Sequence, residues 1–551
     1  MNWQHLWRGR SHFALFDSHF GDGARFRALL QAWQNDPQRS NKLQYIAVDP
    51  TGMPGFRRIP QAQAGVTLDL LTAPLDDALV QLDARLDGIC LTDMDGQGTG
   101  FARALARLAQ PGAVLCAQGL SEIQLHALST NGFPCTADED GCSRSTYTSR
   151  KPPSPWARKA ETVREAIVIG AGLAGAAACE RLCARGWRVT LVEQHAGIAS
   201  EASGNLAGVF MPLLSKDDNV MTRLARAAYL YALDYWKNLG GIGPAAAIQG
   251  AQCGVLQLAR DSVHAQVQQT ISAGQACPAT YAQWLDSAAA TALSGVAAPD
   301  GAWLFPQGGW ARPASVCAAM LSACGPALVQ HFSQGRVCLT RHEGLWQVQN
   351  ASGALIASAP VVVLANGSGA IDLAQTAALP LAALRGQVTH LAAGSLPALQ
   401  HVLCREAYVT PAIDGVHSLG ASYDTDSDPA LRATSQQANL EKIASLLDLP
   451  GVGHDAPLAG RVGFRCVAPD RLPLVGALPT NELSGKPERL RELARQPGLY
   501  GLLGYASRGL IWSPLCAELL AAQLDGEALP LESELVTALD PARFLLRARR
   551  R

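Results

Sequence analysis

The hydrophobic pattern of the chain alternates short apolar runs with longer amphipathic or Ala-rich stretches, which is typical of an α/β protein. The clearest example begins at residues 166–169, an apolar run that predicts a buried parallel strand. An Ala-rich helix is predicted to follow as far as Arg185, and Gly186 ends it. A second strand is predicted over 187–192 and ends at Glu193. The pattern therefore predicts a strand–helix–strand unit within about thirty residues.

Three glycines lie at the turn between the first strand and the helix, in the spacing G-x-G-x-x-G. Gly170 permits the tight turn, Gly172 lets the backbone approach a pyrophosphate, and Gly175 lets the helix pack close to the strand. The helix start offers N–H groups and the positive end of its dipole to phosphate. Glu193 lies where a carboxylate accepts hydrogen bonds from ribose hydroxyls, and it disfavours a 2′-phosphate. This combination favours FAD or NAD binding over a buried Gly/Ala-rich helix without a ligand.

The first 147 residues contain a separate series of apolar runs. Strands predicted over 13–17, 43–48 and 88–91 end close to acidic residues, and an amphipathic helix is predicted over 24–33. Later strands are predicted over 113–116 and 145–149. Acids at strand ends beside a Gly turn suit the ribose and amino acid groups of S-adenosylmethionine. They equally suit a sheet that binds nothing, since such acids often cap the next helix. The candidate residues are Asp17, Gly21, Gly23, Asp49 and Asp93.

A Pro-rich segment over 151–156 separates this unit from the rest, because proline disfavours both helix interiors and sheet pairing. The predicted domains are a parallel α/β domain over 1–150, a linker over 151–162 and a second domain over 163–551. Within the second domain, the cofactor part is predicted to include 163–220, 310–370 and 460–551, and the substrate part 221–309 and 371–459.

Later segments of the second domain carry candidate chemistry. A Gly/Ser/Asn loop over 201–208 has backbone donors that suit a pyrophosphate or a flavin ring, although an ordinary connecting loop has the same composition. Arg461 and Arg465 precede a turn, and Arg508 opens an apolar helix. An arginine in a flavin pocket presents a fork that matches a carboxylate. The alternative is that each arginine pairs with a nearby acid, for instance Asp470.

Composition narrows the classes of function. The formal net charge is −1, which gives no whole-chain signature of a nucleic-acid-binding protein. The fourteen cysteines are scattered without a C-x-x-C pair, which predicts reduced thiols in a cytoplasmic protein and no metal site. The sequence is 48% hydrophobic and 17% charged. It contains no apolar run of about 18 residues, so we expect no membrane span.

The motifs of the second domain share features with one family over about residues 163–547. The shared motifs are Ile167-Val-Ile-Gly-Ala-Gly-Leu-Ala-Gly175, Ala202-Ser-Gly-Asn-Leu-Ala-Gly208 with Pro212, Tyr408-Val-Thr-Pro411, Pro469-Asp-Arg-Leu-Pro-Leu-Val-Gly476, Ser507-Arg-Gly-Leu510, and Gly526-Glu-Ala-Leu-Pro530 with Pro541-Ala-Arg-Phe544. They resemble the FAD-dependent module of the bifunctional tRNA 5-methylaminomethyl-2-thiouridine biosynthesis proteins, which are related to glycine and D-amino acid oxidases.

The resemblance implies an α/β and α+β architecture. A Rossmann-like, methyltransferase-type domain would precede a D-amino acid oxidase-like FAD-binding domain with a mixed-sheet substrate domain. The implied substrate is a tRNA whose wobble uridine carries a carboxymethylaminomethyl group, in effect an N-substituted glycine. Flavin oxidation beside the nitrogen and hydrolysis would release glyoxylate and leave aminomethyluridine. Arg465 and Arg508 would clamp the carboxylate, with Tyr408 and Tyr423 in the pocket.

The resemblance also implies a set of cofactor contacts along the second domain. These are Gly170, Gly172, Gly175, Glu193, Gln194, Ser203, Gly204, Asn205, Gly208, Val337, Gly367, Gly504, Ser507, Gly509 and Leu510.

The first domain departs from the methyltransferase module of that family. The family has a glutamate before a Gly-Phe-Gly-Thr-Gly turn, whereas this chain has Asp17-Ser-His-Phe-Gly-Asp-Gly23. The family's Leu-Asp-Gly-Phe-Ala-Pro stretch is reduced to Leu91-Thr-Asp-Met-Asp-Gly96. We therefore expect a degenerate, shortened domain that binds tRNA or only braces its neighbour, and S-adenosylmethionine as a second cofactor stays open.

Two other functions are compatible with the same motifs. An oxidase of a free small amine or amino acid, such as glycine or sarcosine, would use the same arginine pair, and the near-zero net charge mildly favours it. The first domain and the family-specific motifs favour tRNA instead. A non-catalytic tRNA-binding flavoprotein is the third possibility, against which both arginines are retained. In each case we expect a monomer.

Overall fold

The structure, a computed structural model, describes residues 3–60, 63, 65–137, 142–148, 160–275, 277–453, 458–481 and 487–549. The predicted Pro-rich segment at 151–156 lies outside these residues. The chain forms two compact units: unit 1 comprises Met1–Thr162 and Glu518–Thr537, and unit 2 comprises Val163–Ala517 and Ala538–Arg551. The late segment Glu518–Thr537 therefore belongs to unit 1, although its position in sequence lies within the predicted second domain.

Unit 1 is built on one sheet, whose described strands are β1 (His12–Asp17), β2 (Lys42–Val48), β3 (Gly55–Pro60), β4 (Val66–Thr72), β5 (Leu86–Leu91), β6 (Ala109–Gln118), β7 (Thr136–Ala137) and β8 (Cys142–Thr146). Their order is β3-β4-β2-β1-β5-β6-β8-β7. The five central strands from β4 to β6 are parallel, as predicted, and the buried apolar runs of β1, β2 and β5 explain why.

The edges of this sheet differ from the prediction. β3 pairs antiparallel with β4, and β8 pairs antiparallel with β6 and β7. The fully parallel sheet is therefore wrong at both edges, because the connections before β4 and β8 are too short to carry a crossover helix. The helices are α1 (Gln4–Trp7), α2 (Ala24–Asn35), α3 (Leu75–Gln81), α4 (Gly100–Leu108) and α5 (Glu122–Thr130).

Buried ion pairs explain why the late segment folds with unit 1. The guanidinium of Arg58 on β3 is 1% exposed and pairs with Asp69 at 2.7 Å and with Glu518 at 2.8 Å. It also donates to the carbonyl oxygen of Ala528 at 2.8 Å. The late segment thus supplies part of the environment that this buried charge needs.

Unit 2 contains the predicted strand–helix–strand unit. Its strands up to residue 331 are β9 (Glu165–Ile169), β10 (Arg188–Val192), β11 (Gly208–Phe210), β12 (Gly250–Ala251), β13 (Val255–Leu258), β14 (Gln283–Leu285), β15 (Ala302–Phe305), β16 (Gly309–Ala311) and β17 (Leu328–His331). The later ones are β18 (Val337–His342), β19 (Leu345–Asn350), β20 (Leu355–Ala359), β21 (Val361–Leu364), β22 (Ala382–Ala392), β23 (Val402–Cys404), β24 (Tyr408–Val409), β25 (Val416–Gly420), β26 (Ala459–Val467), β27 (Leu474–Pro479) and β28 (Arg495–Leu503).

The remaining described helices lie between residues 173 and 549. They are α6 (Leu173–Cys183), α7 (Val220–Asn238), α8 (Ser262–Gly274), α9 (Ser287–Ser294), α10 (Pro313–Ala323), α11 (Ala433–Leu447), α12 (Gly509–Asp525), α13 (Ser533–Leu539) and α14 (Arg543–Arg549). The last turns of α12 and most of α13 belong to unit 1.

Two large sheets organise unit 2. The first has the order β17-β10-β9-β21-β28-β27 and is parallel except at β27. Its central strand β9 and the neighbouring β21 are buried apolar runs, as expected of parallel strands covered on both faces. Two three-stranded sheets, β11-β16-β12 and β18-β19-β20, accompany it.

The second large sheet is mixed and has the order β14-β15-β13-β23-β24-β25-β22-β26. β26 lies at its edge and pairs antiparallel with nine consecutive residues of β22, from Ala382 to His390. Residues 460–467 were predicted to belong to the cofactor part, and their strand lies in the mixed sheet because its partner is β22. This strand runs through the candidate site described next.

Candidate active site

The turn between β9 and α6 requires glycine at three positions, for different reasons. Gly170 has a φ of +105°, and a Cβ atom there would lie 2.7 Å from the carbonyl oxygen of Ala365. At Gly172, the N-cap of α6, a Cβ would lie 3.0 Å from the Oγ of Ser203. At Gly175 it would lie 1.8 Å from the carbonyl oxygen of Gly170. The three glycines together bring the start of α6 against the strand, as a dinucleotide site requires.

Glu193 follows β10 and is buried beside this turn. Its Oε2 accepts a hydrogen bond from the N–H of Ala171 at 2.7 Å, and its Oε1 accepts one from the N–H of His195 at 2.9 Å. A carboxylate has about four acceptor sites, so one site on each oxygen is left for a ribose diol. Gln194 is exposed, and its Nε2 lies 2.9 Å from the Nε2 of His195.

A second acceptor lies at the same turn. The Oδ1 of Asn366 is buried and receives no hydrogen bond from the described residues. The Cα of Asn366 lies 3.0 Å from the place a Cβ on Gly170 would occupy. The next residue, Gly367, has a φ of +57°. A buried acceptor without a donor fits a ligand that carries hydroxyl or N–H groups, and the sequence analysis did not identify it.

Two sequence-distant predicted segments converge on the start of α6. The Oγ of Ser203 accepts a hydrogen bond from the N–H of Leu173 at 3.1 Å. A Cβ on Gly509 would lie 3.2 Å from the Cδ1 of Leu173, and one on Gly208 would lie 2.7 Å from the Cδ1 of Leu510. The loop at 203–208 and the start of α12 therefore surround the same helix end.

Val337 lies farther along the same part of the unit. It is the first residue of β18, is half-buried, and packs against the core that β9 and β10 share. That core includes Ile167, Ile169 and Val192.

Arg461 has a role that the sequence analysis did not predict. Its Nη2 donates to the carbonyl oxygens of Ser200 and Glu201 at 2.7 and 2.5 Å, and its Nη1 donates to the Oδ1 of Asn205 at 3.3 Å. A Cβ on Gly204 would lie 2.5 Å from Nη2, so glycine makes room for this side chain. Arg461 thus fixes the loop that carries Ser203.

One end of β26 contacts this loop through Arg461, and the other end lies beside the turn that follows β28. Cys466 accepts a backbone hydrogen bond from Ala506 at 2.9 Å, and its Cβ lies 3.8 Å from the place a Cβ on Gly367 would occupy. Gly504 turns the chain after β28 with a φ of +74°, and Ser507 is exposed before α12 begins. One strand therefore connects the three predicted segments of the cofactor site.

Arg465 on β26 lies across the neighbouring strand β22. A Cβ on Gly386 would lie 2.0 Å from the Nη1 of Arg465, so the absence of a side chain there makes space for the guanidinium. The guanidinium carbon lies 4.4 Å from the ring centre of Tyr423, and Nη1 donates to the carbonyl oxygen of Ser422 at 3.2 Å.

The other predicted pocket residues lie in the same cluster. Burial lowers the pKa of Arg508, and the nearby groups of Tyr423 and Cys404 oppose this shift. Burial raises the pKa of the Tyr408 hydroxyl, and the charge of Arg465 opposes it. Arg508 thus interacts electrostatically with Tyr423 and Arg465 with Tyr408, which sequence spacing alone did not establish.

Neither predicted arginine has an acid partner within the described residues. Arg508 makes no side-chain hydrogen bond or ion pair there, and the only hydrogen bond of the Arg465 guanidinium is to Ser422. The alternative that Asp470 pairs with one of them is wrong, because Asp470 accepts from Arg543 at 2.9 and 2.8 Å. Two desolvated cations without a carboxylate favour an anionic ligand.

Among the candidate S-adenosylmethionine residues of unit 1, the buried acid Asp17 does not fit that ligand. Asp17 is fully buried, and its oxygens already accept from Arg25 at 2.8 and 3.0 Å, from the N–H of His19 at 3.1 Å and from the Tyr45 hydroxyl. These four contacts fill the acceptor sites of a carboxylate and neutralise its charge. Asp17 therefore lacks the free acceptor sites that Glu193 retains.

The remaining acids of that set are also engaged or exposed. The Oδ1 of Asp49 accepts from the N–H and the hydroxyl of Thr51, at 3.0 and 2.7 Å. Asp93 is exposed and lies 3.8 Å from the ring of His19. Gly21 and Gly23 have φ angles of +58° and +77°, so the glycine turn itself is formed.

Other features of the described residues lie away from this chemistry. A cleft of about 450 Å³ in unit 2 contains none of the predicted site residues; it is lined by Arg341, Trp346, Ala374, Gln375, Thr480, Asn481, Gln496 and Pro497. No cluster of three or more metal-ligating side chains occurs in the part of the chain that the structure describes. Within the same residues, every helix is too short or too polar to cross a membrane.

Comparison with known proteins gives a consistent result. Residues 165–523 match the family of FAD dependent oxidoreductases. The chain is 39% identical over 592 residues to the tRNA 5-methylaminomethyl-2-thiouridine biosynthesis bifunctional protein MnmC of Azoarcus sp. (strain BH72), covering 99% of this chain and 92% of the relative. It is 40% identical over 590 residues to the protein of the same name from Aromatoleum aromaticum, with the same coverage.

Glycine oxidase from Geobacillus kaustophilus shares the fold, with a TM-score of 0.56 at 21% identity over 69% of this chain and 99% of that one. The predictions of a D-amino acid oxidase-like FAD-binding fold and of an FAD-dependent oxidoreductase are therefore confirmed, whereas the methyltransferase-type fold of unit 1 stays a prediction. The chain belongs to the FAD dependent oxidoreductases, and within them to the family of tRNA 5-methylaminomethyl-2-thiouridine biosynthesis bifunctional proteins.

Proposed function

We propose that this protein oxidatively removes the carboxymethyl group from 5-carboxymethylaminomethyluridine, or its 2-thio form, at the wobble position of tRNA. The product is the corresponding 5-aminomethyluridine. The observation that carries the proposal is that the guanidiniums of Arg465 and Arg508 lack acid partners among the described residues, while Arg465 lies on the ring of Tyr423. The name of the MnmC relatives supplies the tRNA substrate.

The residues present fit FAD, which when bound supplies the acceptor for two electrons and a proton as hydride. The turn at Gly170, Gly172 and Gly175 and the start of α6 hold the pyrophosphate, and Glu193 accepts from the adenosine ribose. The remaining contacts come from Gln194, Ser203, Gly204, Asn205, Gly208, Val337, Gly367, Gly504, Ser507, Gly509 and Leu510. Asn366 adds a buried acceptor at the turn.

Arg465 and Arg508 orient the substrate. Each guanidinium offers a planar set of donors that matches a carboxylate, and their partial burial strengthens the attraction. With the carboxylate fixed, the methylene carbon between it and the nitrogen is held at one position, which is the main contribution a protein makes to such a reaction.

The reaction balances without a further reactant except water. The methylene carbon loses hydride, the nitrogen loses a proton, and a carbon–nitrogen double bond forms in the substrate. Water adds to that carbon, the carbon–nitrogen bond breaks, and glyoxylate and the primary amine are released. Loss of hydride from a neutral amine requires no separate base, in agreement with the cluster of arginines and tyrosines.

We assign no methyl transfer to unit 1. The acceptor sites of Asp17 are occupied by Arg25, Tyr45 and the N–H of His19, so the carboxylate has none left for the amino acid or ribose groups of S-adenosylmethionine. Unit 1 then serves a role other than methyl transfer, such as binding tRNA.

Nucleoside analysis tests both parts of this proposal. The purified protein is incubated with tRNA that carries the carboxymethylaminomethyl group, with and without S-adenosylmethionine. The tRNA is then digested, and its nucleosides are identified by mass spectrometry. We expect aminomethyluridine in both samples. Methylaminomethyluridine formed only with the methyl donor would overturn the assignment of unit 1, and unchanged tRNA in both would overturn the oxidative function.

A free-amine oxidase would use the same arginine pair. It is distinguished by incubating the protein with glycine or sarcosine alone, since turnover of those amines without conversion of tRNA would favour it.

A further inference from the structure

Tyr423 has an unusual environment for an aromatic side chain next to two arginines. Its side chain is 64% exposed. One face of the ring lies on the guanidinium of Arg465, 4.4 Å from ring centre to guanidinium carbon. With one face covered and most of the side chain exposed, the other face of the ring is open to solvent. An exposed aromatic face costs free energy that a stacking partner would recover.

The segment that carries Tyr423 is fixed at its base. The fully buried Arg385 donates from Nε to the carbonyl oxygen of Asp428 at 2.7 Å and from Nη1 to the Oδ2 of Asp424 at 3.0 Å. Arg432 pairs with Asp426 and Asp428 at 2.7 and 2.9 Å. The open ring is therefore held at a defined place above Arg465.

The length of the substrate arm fixes where the uracil ring must lie. Four bonds separate the carboxylate carbon of the proposed substrate from C5 of the base, which is about 5 Å of extended chain. When the carboxylate of this arm binds Arg465 and Arg508, C5 of the base lies about 5 Å from the carboxylate carbon, so the base stays close to those guanidiniums. Tyr423 is an exposed aromatic side chain, and its ring centre lies 4.4 Å from the guanidinium carbon of Arg465.

We infer that Tyr423 is a stacking platform for the pyrimidine base that carries the reacting arm. This inference rests on the proposed function and makes it more specific: Arg465 and Arg508 bind the carboxylate, while Tyr423 binds the base. Stacking on an aromatic side chain contributes about 1–3 kcal/mol per base and requires a base unstacked from its neighbours, as in an anticodon loop. A free amine without a ring gains nothing from this contact, so Tyr423 determines specificity for a nucleoside.

The experiment compares Tyr423→Ala and Tyr423→Phe with the wild type. Two quantities are measured for each variant: kcat/KM for modified tRNA, and the inhibition constant of N-methylglycine (sarcosine). Sarcosine has the carboxylate and the amine of the substrate arm but no base. Tyr423→Ala is expected to lower kcat/KM for tRNA about 5- to 150-fold, the factor that corresponds to one lost base stack. It is expected to change the N-methylglycine constant less than twofold, and Tyr423→Phe is expected to retain the activity on tRNA.

The control is Leu431→Ala, which removes another exposed apolar side chain from the same segment. It should leave both quantities within twofold of the wild type. The inference is overturned if Tyr423→Ala keeps its activity on tRNA, or if tRNA activity and N-methylglycine binding fall together, because Tyr423 would then act only through Arg465. Failure of the wild type to convert tRNA would instead overturn the proposed function.

Discussion

Replacing Arg465 or Arg508 with alanine removes one guanidinium from the carboxylate site and leaves the glycine turn of the cofactor site intact. Each loss should cost about 1.5–3 kcal/mol of transition-state stabilisation, the value of a charged hydrogen bond, and so lower kcat/KM about 10- to 150-fold. Steady-state kinetics on modified tRNA measure this, with flavin absorbance as the control for cofactor binding. Unchanged kinetics in a variant that holds FAD would remove that arginine from the clamp.

Gly386 provides a test of Arg465 that does not alter the arginine. A Cβ there would lie 2.0 Å from Nη1, so Gly386→Ala should displace the guanidinium and lower kcat/KM at least tenfold while FAD stays bound. Gly394→Ala is the matched control, since a Cβ at that position meets no atom within 4 Å. Equal activity of the two variants would contradict the described position of Arg465.

Single residues also show where sequence reasoning stops. Arg461 and Arg465 lie four residues apart on one strand, and their different roles could not be predicted from that spacing. Arg461 binds the backbone of a loop at Glu201, which lies 260 residues earlier in the sequence, whereas Arg465 faces the pocket. Likewise the pairing of Asp17 with Arg25 could not be predicted, because it depends on side-chain direction at the end of a strand.

At the scale of elements, the contact between α6 and the preceding turn depends on Gly175. A Cβ there would lie 1.8 Å from the carbonyl oxygen of Gly170, so Gly175→Ala must move the helix and with it the phosphate-binding N–H groups. We expect this variant to be purified with little or no FAD, measured by flavin absorbance per protein. Gly197→Ala, where a Cβ would meet no atom within 4 Å, should keep its full flavin content. Full flavin content in Gly175→Ala would contradict the cofactor site.

The elements that the sequence predicted well are those whose signal is local. β9, α6 and β10 were predicted because an apolar run, three glycines and an acid occur together within one short segment. The sheet to which β26 belongs could not be predicted, because it depends on pairing with β22, which no local pattern encodes. β3 was missed, and the antiparallel direction of β8 was not predicted, for the same reason.

At the scale of the whole molecule, unit 1 depends on residues from the far end of the chain. Arg58→Met leaves the buried carboxylates of Asp69 and Glu518 without the charge of Arg58, which should destabilise unit 1 by about 3–5 kcal/mol. Hydrogen exchange of the strands of unit 1 measures this. Arg27→Met is the control, because its ion pair with Asp22 is exposed and should contribute about 0–1 kcal/mol. Unchanged protection in Arg58→Met would show that this ion pair does not hold the late segment.

The division of the chain shows the same limit of prediction. A Pro-rich segment indicates a boundary from composition alone. The return of Glu518–Thr537 to unit 1, in contrast, depends on ion pairs between distant residues, such as Arg58 and Glu518, which are 460 residues apart in the sequence. Family-specific motifs predicted the cofactor and the oxidoreductase class, because these chemistries leave short, local signatures.

Anaerobic reduction of the bound flavin shows whether the modified tRNA is the substrate that the flavin oxidises. The oxygen-free holoenzyme is mixed with tRNA that carries the carboxymethylaminomethyl group, and flavin bleaching and glyoxylate are measured together. We expect this tRNA to bleach the flavin absorbance, with one glyoxylate released per flavin reduced. The same tRNA without the modification should leave the flavin oxidised. Bleaching by glycine or sarcosine, with no response to the modified tRNA, would contradict the proposed function.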